Sequence, residues 1–361
     1  VPRVLFITGF PGFIGRRLVR ALLETDPESH AVALVEEKQL AKAQECARTI
    51  APDRIELLTG DIAQQGLGLD AATRERLQGT VVQVFHLAAI YNLAVPAEIA
   101  QRVNVDGTGN ILDLCAACTQ LERLNYVSTA YVAGDRTGVV YEHELALGQG
   151  FKNHYESTKF QAEVWVQIRM RDIPTTIYRP AIVVGDSQTG ETEKFDGPYY
   201  ILRTIARAAE RRGPIPQLGS DASPFNVVPV DFIVASIVAA STDAAASGET
   251  LHLVDSAPIS AAELSRVLSR EYAGREPSFK IPGRVLERSL RFKVMRDYFS
   301  GAPHESIVYL NHPVRFDTRK ANGLLARHGM RCPRFEEYVS NVVRFFREHE
   351  HDPAYVPPPV A

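Results

Sequence analysis

The sequence predicts an α/β protein, a doubly wound parallel sheet in its first half followed by a smaller, mostly helical region. Three observations carry this. Short continuous apolar runs alternate with stretches of helical period from residue 4 to about residue 180. A glycine-spaced turn, Gly9-Phe10-Pro11-Gly12-Phe13-Ile14-Gly15, joins the first run to the first helical pattern. After Arg179-Pro180 the composition shifts to a stretch rich in Gly, Asp, Thr and Glu, and then to helical pattern.

Taken in order, 4–8 reads as a strand buried on both faces, 16–24 as a helix, 31–35 as a strand and 39–49 as a helix. Residues 55–58 and 81–87 read as the next strands, 105–119 as a helix, 124–128 as a strand, 153–171 as a helix and 175–178 as a strand. The stretch 185–198 reads as a long loop able to close over a site. Segments 227–239 and 250–254 are expected to return to the sheet edge, and from about residue 260 the pattern is helical, ending in 335–349. The division that follows is a sheet domain over 1–180, its edge completed by 225–255, a second region over 181–224 and 256–350, and a flexible proline-rich tail over 351–361.

With 361 residues, 45% of them hydrophobic, and a net charge of −3, the chain can fill one large or two modest cores. No run of one charge sign points to nucleic acid as a partner. The first residues already read as strand, so no signal peptide is expected. The most apolar stretch, 227–240, is broken by Pro229 and Asp231 and is too short to span a bilayer. These features point to a cytoplasmic protein. Cys46, Cys115, Cys118 and Cys332 make no disulfide framework, and the Cys115/Cys118 pair sits in a helical pattern with no second pair to complete a zinc site. Packing against the sheet is the expectation for both.

Two constellations carry chemistry. Glycines three apart at a strand-to-helix turn let the backbone approach a pyrophosphate, whose charge the helix N-terminus holds. Tyr155 and Lys159, four residues apart, point to one helix face, downstream of the strand ending Tyr126-Val127-Ser128-Thr129. An ammonium beside a phenol stabilises phenolate, so the spacing predicts a tyrosine pKa drawn down from about 10. Such a phenol can give a proton to a carbonyl or take one from an alcohol. His86 and His154 lack metal-ligand spacing and read as structural.

Together these motifs resemble an extended short-chain dehydrogenase/reductase, over residues 4 to about 253. The resemblance implies a Rossmann-type sheet with a C-terminal substrate domain. It makes Gly9, Phe10, Gly12, Phe13, Ile14 and Gly15 the phosphate turn, and Asp61 and Ile62 the adenine contact. Leu87, Ala88 and Ala89 follow His86 as the strand end below the cofactor, and Asn104 is a structural or catalytic asparagine. Thr129, Tyr155 and Lys159 fall on the catalytic hydroxyl, acid and activator, with Ser128 beside them. Pro180, Ile182 and Val183 fall on the segment whose backbone meets the nicotinamide amide. Within the family, Val127-Ser128-Thr129-Ala130-Tyr131-Val132-Ala133-Gly134 and 183–200 are similar to the thioester-reductase and fatty-acyl-reductase branch.

The resemblance therefore implies an NAD(P)-dependent oxidoreductase acting on a ketone, aldehyde or acyl thioester, the last CoA- or carrier-linked, and allows a homodimer. Glu36 at the end of the second strand favours NAD(H), whereas Arg16, with Arg17 and Lys38 nearby, favours NADP(H), to which the balance tips. A nucleotide-sugar epimerase or dehydratase with tightly held NAD, and a noncatalytic cofactor-binding sensor, are the alternatives. Residues 280–299 form a basic amphipathic segment, read as a solvated lid helix or as a surface steering a phosphorylated substrate.

Overall fold

Each apolar run of the first half becomes a strand of one parallel sheet. The computed structural model describes residues 3–91, 95–281 and 308–356. In chain order the strands are β1 (Arg3–Thr8), β2 (Ser29–Val35), β3 (Ile55–Thr59), β4 (Val81–His86), β5 (Arg123–Val127), β6 (Gly138–Val140), β7 (Thr175–Pro180), β8 (Ile182–Val184), β9 (Pro216–Gln217), β10 (Val227–Pro229), β11 (Thr250–Leu253), β12 (Phe279–Lys280) and β13 (Val314–Phe316). The main sheet has seven strands in the order β11-β7-β5-β4-β1-β2-β3, all parallel. The order reverses beside β1, which opens a crevice beyond the strand ends between β1 and β4, where ligands of such sheets bind.

The helices are α1 (Phe13–Thr25), α2 (Leu40–Ile50), α3 (Ala71–Thr80), α4 (Ala97–Ala100), α5 (Gly107–Ala117), α6 (His154–Arg169), α7 (Tyr199–Glu210), α8 (Val230–Thr242), α9 (Ala261–Ala273), α10 (Arg319–Arg327) and α11 (Phe335–His349). Side chains set several starts: Asp70 accepts from the Thr73 amide, Asn153 from that of Glu156 and Ser260 from that of Glu263. A π turn, Gln101–Asp106, joins α4 to α5, so Asn104 lies inside one long helix and not at its start. Phe6, Ile7, Phe85, Tyr126 and Ile177 are wholly buried in the sheet's two faces. Each large apolar chain so buried contributes about 1.5–3 kcal/mol, which fixes the strand ends that carry the site.

One expectation is corrected. Of 227–239, only Val227–Pro229 is strand, and it pairs with β8 outside the main sheet; the rest is α8. This helix packs against α1 on one side and β5 and β7 on the other, burying Val230, Phe232, Ile233, Val234 and Ile237. A helix apolar nearly all round shows no period to read. β11 does complete the sheet edge. The second region is a separate core in which Phe195, Tyr199, Ile205, Leu264, Val339 and Phe346 pack together. Of the tail, Pro353–Tyr355 form a 3₁₀ turn, and the Tyr355 carbonyl accepts from the Phe195 amide at 2.8 Å. Apart from Lys280 and Ile281, the basic segment lies outside the described residues, as do 357–361.

Candidate cofactor and catalytic site

The glycine turn closes on itself so tightly that side chains do not fit. Gly9 has φ +87°, and a Cβ there would stand 3.0 Å from the backbone of Leu87 and Ala88. A Cβ on Gly12 or Gly15 would lie 2.9 or 2.4 Å from the Gly9 carbonyl oxygen. Gly12 caps α1 without a side-chain acceptor, and no acidic residue stands in the first turn, which leaves amides and a positive helix end facing the crevice. The arrangement fits a pyrophosphate. Phe10 is buried beneath the turn, while Phe13 and Ile14 are partly exposed on α1. Asp61 is partly exposed, its Oδ1 accepting from the Ala63 amide at 2.8 Å, and Ile62 is buried against Gly107.

Below the turn, buried His86 ties three elements. Its Nδ1 meets Thr8 Oγ1 at 2.7 Å and its Nε2 meets Thr108 Oγ1 at 3.1 Å. Thr8 Oγ1 also accepts from the Leu87 and Ala88 amides, both at 3.2 Å; Ala89 follows in the same extended exit. Burial, aided by the Lys159 charge, pulls the imidazole down to about 3, so it is neutral and structural, as its spacing predicts.

Thr129, Tyr155 and Lys159 converge where β5 ends beside the first turns of α6. The Thr129 hydroxyl stands beside the Tyr155 phenol and accepts from the Tyr131 amide at 3.3 Å. Lys159 is 3% exposed and donates to the Val127 carbonyl at 2.8 Å and the Tyr126 hydroxyl at 3.0 Å, its Nζ 4.5 Å from the centre of the Tyr126 ring. Burial pulls the ammonium down to about 7 despite the opposing pull of the Glu163 carboxylate. The expectation of a depressed tyrosine is corrected: burial pushes Tyr155 up to about 12, against the neighbouring Thr129 hydroxyl, which lowers it. Lys159 meanwhile donates to the end of β5. Tyr155 is therefore protonated at neutral pH, the form that donates.

A buried network that the sequence reading did not foresee holds this set. Arg179 and Glu163 are both fully buried and paired, Nη2 to Oε1 at 2.5 Å and Nε to Oε1 at 3.0 Å. Ser128 Oγ donates to Glu163 Oε2 at 2.5 Å, so this hydroxyl is committed to the buried pair. Arg179 continues to the Glu142 carbonyl and His252, whose imidazole burial pulls down to about 3. Glu163 stands four residues beyond Lys159, a spacing that could have exposed it. Asn104 is a clamp: its amide accepts from the Ile90 amide at 2.8 Å and donates to Thr158 Oγ1 at 3.0 Å, next to Lys159. Tyr126, read in the sequence only as part of the strand end, supplies one acceptor for Lys159.

The nicotinamide-side segment leaves β7 at Pro180. The Ile182 amide is taken by the Asn226 carbonyl at 3.2 Å, and Val183 pairs in register with Val228. At the opposite end, Glu36 and Lys38 pair with each other at 2.5 Å, both exposed. Arg16 meets Glu191 at 3.2 Å and Glu193 at 3.9 Å, and Arg17 meets Glu191 at 2.8 Å. Cys115 and Cys118 line α5 with burial pushing both thiols up, Cys118 to about 11, in keeping with packing roles. No described helix is long and apolar enough to cross a membrane.

Comparison with known proteins agrees with this geometry. An NAD-binding family described as "Male sterility protein" matches residues 7–237. A linear gramicidin synthase of Brevibacillus parabrevis is 29% identical over 94% of this chain and 7% of its own length. The fatty acyl-CoA reductase wat of Drosophila melanogaster is 26% identical over 67% of this chain and 54% of its own length. The chain thus spans about half or less of these relatives. Among solved structures, the terminal R domain of the myxalamid PKS-NRPS pathway superposes with a TM-score of 0.81 at 24% identity, covering 98% of this chain and 92% of that one. UDP-glucuronic acid 4-epimerase from Bacillus cereus in complex with NAD superposes at 0.67 and 19% identity, covering 98% and 99%. The open-ended parallel sheet, the side-chain-free glycine turn and the match over most of its length place this chain in the NAD-binding male sterility protein family of extended short-chain dehydrogenases/reductases.

Proposed function

We infer that the protein is a reductase that uses a nicotinamide cofactor to reduce a carbonyl, presented as an aldehyde or as a CoA- or carrier-linked acyl thioester. The observation that carries this is the placing of the Thr129 hydroxyl beside the Tyr155 phenol, next to buried Lys159, at the strand end that shares the crevice with the glycine turn. A reduced nicotinamide held there would supply hydride to the carbonyl carbon. Tyr155 gives its proton to the oxygen that gains the carbonyl electron pair, and Thr129 donates a hydrogen bond to the same oxygen. Lys159 holds the end of β5 and would hold the ribose hydroxyls of that cofactor. The names of the fatty acyl-CoA reductase and the R domain support the substrate class.

The cofactor is NADP(H) in this reading, because Arg16 and Arg17 offer cations at the adenosine side while Lys38 neutralises Glu36. A panel of aldehydes, ketones and acyl-CoA esters, followed by loss of reduced-cofactor absorbance, tests the reading. Tyr155→Phe is expected to lose about 10²–10⁴-fold in turnover with cofactor binding retained. Turnover surviving above a few percent would remove Tyr155 as the acid, and tightly held NAD with no net consumption would favour the epimerase alternative.

A further inference from the structure

The long loop after β8 reaches back across the sheet domain. Its base is fixed twice: Asp231 accepts from the Ser187 amide at 2.8 Å and its hydroxyl at 2.6 Å, and the Asn341 amide donates to the Ser187 carbonyl at 2.8 Å. Gly190 presses on α11 so closely that a Cβ would stand 2.1 Å from the Asn341 carbonyl oxygen. The far end is plugged by Phe195, which is wholly buried. Between these anchors Glu191 and Glu193 cross to three cations on the first two helices. Glu191 pairs with Arg16 and Arg17, and Glu193 with Arg16 and Lys42. Arg16 and Arg17 follow the glycine turn, and Lys42 lies on the helix after β2, so the cluster flanks the end of the crevice that receives the adenosine ribose.

We propose that Glu191 and Glu193 are an internal stand-in for the 2′-phosphate of NADP(H), displaced when that cofactor binds, so that loading it releases the strap between Ser187 and Phe195. This rests on the cofactor reading above. Two carboxylates face three cations, which leaves the cluster net positive. A phosphate dianion brings more charge and more acceptor oxygens than either carboxylate. The pairs are partly exposed, 47% for Glu191, 26% for Glu193 and 48% for Lys42, so opening them costs little. NAD(H), lacking the 2′-phosphate, has nothing to exchange for them. The strap then sets cofactor discrimination as well as access, and Glu191 and Glu193 are specificity-determining residues.

The test measures NADPH and NADH binding to the full chain by nicotinamide fluorescence, for wild type and E191Q/E193Q, with hydrogen exchange of amides 190–194. The double variant is expected to bind NADPH about 3- to 10-fold tighter, the scale of a few partly exposed ion pairs, and NADH within twofold of wild type. In wild type, NADPH but not NADH is expected to speed exchange in 190–194. NADPH affinity unchanged or weakened in the variant, or exchange slowed by NADPH, overturns the strap exchange while leaving the reductase reading in place. Wild type that binds neither cofactor overturns both.

Discussion

Replacing Glu163 by Gln isolates what the buried Arg179–Glu163 pair does for the catalytic set. Both side chains are 0% exposed, and the carboxylate accepts three contacts from Arg179, one from Ser128 and one from Gln167. The amide keeps the shape but removes the charge. Arg179 is then left facing neutral His252, with only carbonyl and amide oxygens to balance it. Stranding one member of a buried pair costs about 3–5 kcal/mol, so the urea midpoint should fall by that amount divided by the m-value. Glu45→Gln is the control: its partner Arg48 is 70% exposed, and no measurable change is expected. Because Glu163 is the carboxylate that supports the Lys159 charge, the limb of the pH–rate profile belonging to Lys159 should also move below about 7. A stability loss under about 1 kcal/mol with an unmoved profile would refute the reasoning.

Two further outcomes follow from the same geometry. The folded pKa of Lys159, about 7, lies below its ordinary 10.5, so between these values the unfolded chain holds a proton that the folded chain lacks, and this group's penalty eases as pH rises. Urea titrations of wild type and Lys159→Met at pH 7, 8 and 9 should therefore differ by an amount that rises in favour of wild type, by up to about 1.4 kcal/mol per pH unit; a difference independent of pH would contradict the assignment. Gly15→Ala forces a Cβ to within 2.4 Å of the Gly9 carbonyl oxygen and should cost about 1–3 kcal/mol in thermal unfolding with at least a tenfold loss of cofactor affinity. Gly323→Ala in α10, where a Cβ meets nothing within 4 Å, should instead stabilise by about 0.5–1 kcal/mol, and equal behaviour of the two variants would sink the crowding argument.

The six strands of the first half that carry the main sheet were legible because each is a short apolar run, and the turn was legible because only glycine fits its spacing; the two- and three-residue strands β6, β8, β9, β12 and β13 offer no such run. Tyr155, Lys159 and Thr129 could be placed because helical spacing and a strand end put them together. α8 was misread since it is apolar nearly all round, and α3 was passed over because Leu77 is its one buried chain among the described residues. The direction of the Tyr155 shift was lost for another reason: spacing in sequence does not tell how deeply a phenol will be buried, and burial outweighs its neighbours here. Glu191 and Glu193 sit in a loop, where no period announces partners 175 and 151 residues away in sequence.

The π turn at Gln101–Asp106 carries one residue more than a regular helical turn, the Gly107 amide reaching back to the Arg102 carbonyl. That extra residue acts as a rotational offset between the helix halves. Removing it would restore regular winding but swing Asn104 about 100° around the axis, away from Ile90 and Thr158. The segment is thus locked in length as well as in composition: a substitution here can be absorbed by repacking, whereas a single-residue deletion turns the asparagine out of line with the helix that carries Tyr155 and Lys159.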